Sequence, residues 1–291
     1  MIKIFAYAKI NLFLDIRGKR ADGYHDIVSV MQTVDWHDIL YIDEISGRNI
    51  EFHCAETEIP TDERNTVYKA AKLFLNQTGI QKGIKIELQK HIPHEAGMAG
   101  GSADAAATLR GLNSLFGNPL PNDELLSLGL KIGADVPFCM TGGTKLVEGI
   151  GEHIKEFPSL PSLPLVCAKR GRGVSTPAAY RALDDAYCNF LDYSPNVNKL
   201  ELLRNGFQSG SVNPKGMYNI FESVVEPDYP SVPEIKEEMI KGNALTTLMS
   251  GSGPSVFGVF ENLADAEKTA KALEASGTVC RVCFPISDPL S

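Results

Sequence analysis

The N-terminal residues alternate. Ile4, Ala6, Ala8, Ile10, Leu12 and Leu14 fall on one face of an extended segment, and Tyr7, Lys9, Asn11 and Phe13 on the other. This predicts a strand over 2–16, with Lys9 and Asn11 pointing the same way out of a nearly apolar stretch. Between Ile27 and Ile59 the pattern predicts short strands, 28–34 and 39–42 among them, joined by polar connections. Helical spacing begins at Val67, Ala70, Ala71, Phe74 and Leu75, so 67–78 reads as a helix with Asn65 as its cap. Ile84, Ile86 and Leu88 alternate with Lys85, Glu87 and Gln89 as in a half-buried strand. The Ala- and Leu-rich run 103–115 then favours helix, with Ser102 placed to cap its first turn. Asn122, Asp123 and Glu124 open a further helix over 125–132 that ends at Gly133. Pro137 directs Val136 to extended backbone, so the chain is expected to leave this helix sharply with Asp135 on the corner.

The prolines of 158–164 read as a connection between domains. Beyond them the pattern gives a strand over 165–168, a helix from about Pro177 and a polar middle over 189–215. It continues with a helix over 232–241, a strand over 244–249, a loop over 250–255, a strand over 256–260, a helix over 264–275 and a strand over 278–286. This order suits an antiparallel sheet with helices on one face. Taken alone, Ser250-Gly251-Ser252-Gly253 is a hairpin turn.

Composition narrows the class. A chain of 291 residues with 43% apolar content fills two ordinary cores. No apolar run approaches the ~20 residues of a membrane span, and the N-terminus lacks the pattern of a signal peptide, so a cytoplasmic protein without membrane partner is expected. Six cysteines among apolar neighbours suit buried thiols better than a disulfide framework. Cys280 and Cys283 lie in an expected strand, where residues three apart face opposite ways, so no metal is expected there. A net charge of -8 argues against a nucleic-acid partner. A polyanionic nucleotide has to be met by local donors instead.

Such donors concentrate around Ala96, Gly97, Met98, Ala99, Gly100, Gly101 and Ser102. These small residues, set between a strand and the start of a helix, let backbone N–H groups approach a phosphate, and the helix N-terminus adds partial positive charge. Close packing of two elements, or a turn with positive φ, uses the same residue types. A P-loop needs a lysine before Ser102, and a dinucleotide fingerprint needs glycine where Glu95 stands, so a third kind of nucleotide site is expected. Singly, Lys9 reads as a solvated lysine, and Arg20 to His25 as an Asp22-Gly23 turn presenting Tyr24 and His25. Asp135, with apolar Ala134, Val136, Phe138 and Met140 about it, reads as a structural acceptor or a general base.

Together these stretches carry a family resemblance. Ala8-Lys9-Ile10-Asn11-Leu12, the loop 96–107 and Ser250 to Gly253 resemble the three motifs of the GHMP kinases, in matching order and at matching separations. Residues 8–14, 20–25, 133–137 and Gly173-Val174-Ser175-Thr176-Pro177 resemble, more narrowly, the branch that uses ATP to phosphorylate the 2-hydroxyl of 4-diphosphocytidyl-2-C-methyl-D-erythritol in the non-mevalonate isoprenoid pathway. The match spans nearly the whole chain.

The resemblance implies a two-domain α+β GHMP kinase fold. Its N-terminal domain, 1–160, would be ribosomal protein S5 domain 2-like and bind ATP; its C-terminal domain, 161–291, would be ferredoxin-like; the active site would lie in the cleft between them. It implies Lys9 and Asp135 as the catalytic pair, Asp135 as general base and Lys9 keeping that carboxylate ionised and offsetting charge on the moving phosphoryl group. Ala96 to Ser102 would wrap the ATP phosphates, with Asn65 near adenine. Asn11, Tyr24, His25 and Tyr180 would hold the cytidine substrate, the rings of Tyr24 and Tyr180 on either face of the base. Mg2+ would accompany ATP, with Ser102 a candidate ligand, and the protein would work as a monomer or homodimer on small molecules.

Two features depart from the family pattern. Glu95 occupies a usual glycine position, so its turn is expected to differ in shape or to send the carboxylate to solvent. Lys169-Arg170-Gly171-Arg172 is more basic than the pattern requires and reads as a solvated loop, with attraction of a polyphosphate as the alternative. The rival readings are a GHMP kinase for homoserine, mevalonate or a sugar, a nicotinamide oxidoreductase, and a non-catalytic nucleotide-binding protein of the same fold. Glu95 and the lack of a repeated βαβ pattern disfavour the oxidoreductase.

Overall fold

Two long strands lead the chain, β1 (Ile2–Lys19) and β2 (His25–Ile45). The structure, a computed structural model, describes residues 1–287; positions 288–291 of the expected second domain lie outside the described residues. β2 runs unbroken where short strands were expected. It contains no glycine or proline, and its polar middle is tied down rather than looped out. The buried carboxylate of Asp38 accepts from the Ile92 N–H at 2.8 Å, and Trp36 Nε1 donates to the His91 carbonyl at 2.8 Å.

Then follow β3 (Ile50–Cys54), α1 (Thr66–Thr78), β4 (Gly83–Gln89), α2 (Gly100–Leu115), α3 (Asn122–Ile132) and α4 (Val136–Thr141). Asn65 caps α1 as its sequence position suggests, its side chain accepting from the Val67 N–H at 2.8 Å. Two expectations need correction. α2 begins at Gly100, so Ser102 sits inside its first turn; Ala99, at φ 56, occupies the cap position without a side-chain bond. Val136 is not extended but opens α4, because Pro137 falls in the first turn of a new helix, where a missing N–H has no bond to lose. Asp135 therefore stands on a turn between two helices, braced by the Val136 N–H donating to the Gly133 carbonyl at 3.1 Å.

The second half holds β5 (Thr144–Gly149), β6 (His153–Glu156), β7 (Leu165–Lys169), α5 (Thr176–Ala186), α6 (Val197–Gln208), β8 (Tyr218–Asn219) and α7 (Glu222–Val225). α8 (Ser231–Lys241), β9 (Thr246–Met249), β10 (Val256–Val259), α9 (Leu263–Ala275) and β11 (Val279–Cys283) complete it.

These elements form two compact units interleaved along the sequence. Unit 1 comprises Met1–Ala8, Trp36–Ile92 and Ala99–Thr141. In its sheet β3 pairs parallel with β4 and β4 antiparallel with β2, Ile86 standing opposite both Phe52 and Ile42. α2 lies close against β2: a Cβ on Gly111 would stand 2.6 Å from Ile42 Cδ1, so only glycine fits that crossing. Phe74, Ala70 and Ala71 of α1 are wholly buried on this side.

Unit 2 comprises Lys9–Asp35, Pro93–Met98 and the chain from Gly142. Here β2 carries β5 and then β6, and β1 runs parallel to β8. A second sheet, ordered β11-β7-β10-β9 and antiparallel throughout, is the one expected from the sequence. Val166, Ala168 and Val256 of this sheet share a core with Ile235 and Met239 of α8 and Ala266, Ala270 and Leu273 of α9. β5, β6 and α6 went unrecognised in the sequence. α6 buries only Leu203, Gly206 and Phe207, too few to mark a helical stripe in a polar stretch. The irregular segment 158–164 lies within unit 2. All six cysteines are free thiols, and Cys188 is exposed where burial was expected. No described helix is long and apolar enough to cross a membrane.

Candidate active site

Three of the sequence motifs meet in unit 2. Lys9 and Asn11 are 4% and 1% exposed, and Lys9 Nζ donates to Asn11 Oδ1 at 2.7 Å. Asn11 Nδ2 donates to Ser29 Oγ at 2.8 Å, and Ser29 passes its own proton to the Phe13 carbonyl at 2.7 Å. That relay fixes which end of the Asn11 amide faces Lys9. Lys9 is therefore a positioned cation rather than the solvated one its isolated context suggested. Its backbone N–H donates to the Met98 carbonyl at 3.1 Å, which ties the first motif to the glycine loop.

The loop after β9 closes the same knot. Ser250 Oγ donates to the Gly97 carbonyl at 2.9 Å and accepts from the Asn11 N–H at 3.3 Å. The Ser255 N–H donates to the Ala96 carbonyl at 3.3 Å. Gly97, at φ 72, packs so tightly that an added Cβ would fall on the Ser250 carbonyl oxygen. Ser250 to Gly253 does join two hairpin strands, but its second task is to hold the glycine loop. Asn219 supports it from below, Nδ2 donating to the carbonyls of Met249 at 2.7 Å and Gly251 at 2.8 Å. Nothing in the sequence marks Ser29, Asn219 or Ser250 individually. Only the serine-glycine run carried a signal.

Beside this knot an open pocket of about 520 Å³ is lined by Glu95, Arg172, Thr176, Tyr229 and Ser252 among others. Thr176 and Ser252 share a hydroxyl hydrogen bond at 2.8 Å. Glu95 keeps the backbone shape a glycine would adopt, at φ 48, while its largely exposed carboxylate stands 3.7 Å from His94 Nε2. Of the adjoining basic stretch, Gly171 and Arg172 are exposed as a solvated loop would be, but Arg170 is tied down. Arg170 is bound by Thr278 at 2.8 Å, Ser276 at 2.7 Å and Glu238 at 3.0 Å, and Arg172 lies over the Tyr229 ring at 5.0 Å.

The residues expected to hold cytidine also belong to unit 2. His25 is 8% exposed, its ring stacked on Tyr180 with centroids 4.7 Å apart and crossed edge-on by Phe190 at 5.8 Å. Tyr180 meets Phe221 edge-on at 4.9 Å. Tyr24 is 61% exposed on the turn that Arg20 closes by donating to its carbonyl at 2.7 Å.

Unit 1 supplies the start of α2 and Asp135. The first N–H groups of a helix have no intrahelical partner, and Ala99 offers no side chain to cap them, so Gly100, Gly101 and Ser102 present donors suited to an anion. Thr66 Oγ1 anchors this turn by donating to the Gly101 carbonyl at 2.7 Å. Asn65 is engaged at both ends of its amide, with Val67 N–H and with the Pro60 carbonyl at 2.9 Å; any adenine contact would be added to these bonds. Ser102 Oγ would stand 3.8 Å from a Cβ on Gly133, which brings it to the turn that bears Asp135.

Beneath α2 lies a buried charge cluster missed in the sequence. Lys90 Nζ bonds Asp104 Oδ2 at 2.8 Å and also Asp38. Burial works against the Lys90 ammonium, but Asp104 and Asp38 outweigh it and raise its pKa. Burial pushes the Asp104 carboxyl up to about 8; Lys90 opposes that and Asp38 adds to it. One buried cation cannot neutralise two carboxylates, so the excess is relieved by a proton on Asp104. The available signal was an aspartate amid the alanines of a buried helix.

Residues 65–143 match the GHMP kinases N terminal domain and residues 197–278 the GHMP kinases C terminal domain. The 4-diphosphocytidyl-2-C-methyl-D-erythritol kinase of Caldicellulosiruptor saccharolyticus is 46% identical over 271 residues, covering 92% of this chain and 91% of that protein. A protein of the same name from Clostridium botulinum is 44% identical over 269 residues, covering 92% and 94%. A crystal structure of 4-(cytidine 5'-diphospho)-2C-methyl-D-erythritol kinase superposes with a TM-score of 0.81 at 32% identity, over 97% of this chain and 99% of that one. Homoserine kinase of Cytophaga hutchinsonii, at 21% identity and a TM-score of 0.74, shares the fold. By sequence identity, family domains and fold alike, this chain belongs to the GHMP kinases, in the 4-diphosphocytidyl-2-C-methyl-D-erythritol kinase family.

Proposed function

We propose that this chain transfers the γ-phosphoryl group of ATP to the 2-hydroxyl of 4-diphosphocytidyl-2-C-methyl-D-erythritol, a step of non-mevalonate isoprenoid biosynthesis. The observation that carries the reading is the knot of Lys9, Asn11, Gly97, Met98 and Ser250, in which the three family motifs are joined by hydrogen bonds within one unit. Relatives bearing that activity in their names cover more than nine-tenths of the chain.

The roles follow from chemistry. Asp135 accepts the proton of the attacking hydroxyl, and Lys9, held by Asn11, offsets charge on the transferring phosphoryl group. The N–H groups at Gly100, Gly101 and Ser102 take phosphate oxygens, joined by Ala96 to Ala99 of the loop, with Asn65 beside adenine. His25, Tyr24, Tyr180 and Asn11 hold the cytidine compound. Mg2+ is bound chiefly by phosphate oxygens in such enzymes and needs few protein ligands, which suits the Ser102 hydroxyl as one of them. Residues 1–160 form the ATP-binding domain and the remainder the second GHMP domain, in an enzyme of the cytoplasm.

The test is ADP release with magnesium and ATP, comparing the cytidine compound with mevalonate and homoserine. Turnover of the cytidine compound alone is expected. Turnover of mevalonate or homoserine in its place overturns the substrate assignment, and silence with all three by protein that binds ATP overturns the reaction.

A further inference from the structure

Asp184 stands directly behind His25. Its Oδ1 lies 2.6 Å from His25 Nε2, and its Oδ2 lies 2.7 Å from Lys19 Nζ, which also reaches Asn189 Oδ1 at 3.1 Å. Burial by itself raises the Asp184 carboxyl, yet the hydrogen bonds from Lys19 and His25 outweigh burial and hold it below the ordinary aspartate value. An ionised carboxylate only accepts hydrogen bonds. Nε2 is therefore the protonated nitrogen, and in the neutral ring Nδ1 is left as an acceptor. The stacked Tyr180 and the edge of Phe190 hold the plane of the imidazole, with Nε2 on Asp184.

We propose that Asp184, held by Lys19, is the positioning residue that makes this site read cytosine: acting through His25, it fixes Nδ1 as acceptor for the exocyclic amino group of the base. The inference rests on the cytidine substrate proposed above. Cytosine carries an amino donor where a uracil-type base carries a carbonyl acceptor. Two acceptors facing each other leave both unpaired in a closed site, and discrimination follows from that mismatch.

Asp184→Asn is the informative variant, because an amide can present either its oxygen or its NH2 to Nε2 and so permits both tautomers. The KM for the cytidine compound should rise about 3- to 10-fold, the worth of one neutral hydrogen bond, while the KM for ATP stays unchanged. Preference over the uridine analogue should fall by a similar factor. The 15N spectrum of His25 should change from a single Nε2–H tautomer to a mixture, and Asp184→Glu should restore part of the preference. Parallel rises in both KM values with the base preference intact would mean a merely structural role and overturn the proposal, as would no change at all. Should the wild type fail to use the cytidine compound, the substrate reading falls, yet the His25 tautomer still judges Asp184: a mixture in the wild type overturns its positioning role.

Discussion

The hydroxyl of Ser250 donates to the carbonyl of Gly97 at 2.9 Å and receives the N–H of Asn11 at 3.3 Å, so one buried side chain fastens two motifs far from it in sequence. Ser250→Ala leaves a carbonyl and an N–H in the interior without this partner. The expected loss is about 1–3 kcal/mol in denaturant unfolding, with a raised KM for ATP. Gly97→Ala should cost on the order of 3 kcal/mol, since it adds positive-φ strain to a clash with backbone. A Gly97→Ala protein as stable as wild type would show that packing does not dictate this glycine.

Asp135→Asn removes a base without changing shape. Turnover should fall by about 10²- to 10⁴-fold while ATP affinity and melting temperature hold. Turnover near that of the wild type would exclude Asp135 as the proton acceptor.

The buried cluster beneath α2 predicts a pH dependence with a definite sign. Asp104 has its pKa raised from 3.8 to about 8 in the folded protein, so the folded state binds a proton that the unfolded chain releases. Its contribution to stability is complete below 3.8 and is lost as pH rises towards about 8. Asp104→Asn should flatten that slope in thermal unfolding measured from pH 5 to 9. Lys90→Met, which leaves two carboxyls without their cation, should destabilise by about 3–5 kcal/mol. An unchanged slope in Asp104→Asn would place the buried proton elsewhere.

Alternation and helical spacing were enough to read β1, α1, β4, α3 and the second sheet; α1 and β4 bury one face and expose the other, while β1 and the second sheet are apolar enough to read as strands though buried on both faces. They failed where tertiary contacts outrank local pattern. β2 stays extended through Trp36 and Asp38 only because residues 91 and 92 supply partners for its polar groups. Val136 turns helical because α4 begins there. Within the site, Lys9 and the glycine loop were legible as chemistry, but the residues that aim them were not. Ser29 and Asn219 are ordinary polar residues whose importance comes wholly from what the fold sets beside them.

Tyr180→Ala should raise the KM for the cytidine substrate about tenfold and leave that for ATP unchanged. Tyr180→Phe keeps the ring that stacks on His25 and should behave nearly as wild type. An effect confined to ATP would contradict a role in holding the base.

Glu95→Gly should alter stability by no more than about 1 kcal/mol and preserve activity. The backbone at φ 48 suits glycine, and the gain in ease offsets the entropy a glycine loses on folding. A large loss of activity would reveal that the Glu95 carboxylate itself takes part.

The interleaving of the two units has a consequence for biogenesis. Every segment of unit 1 has been synthesised once Thr141 leaves the ribosome, whereas Lys9–Asp35, made among the first residues, belongs to unit 2, whose longest segment begins only at Gly142. Asn11 and Ser250, 239 positions apart, cannot bond until nearly all of translation is over. The stretch bearing Lys9 is thus among the earliest made and among the last to gain its full set of bonds.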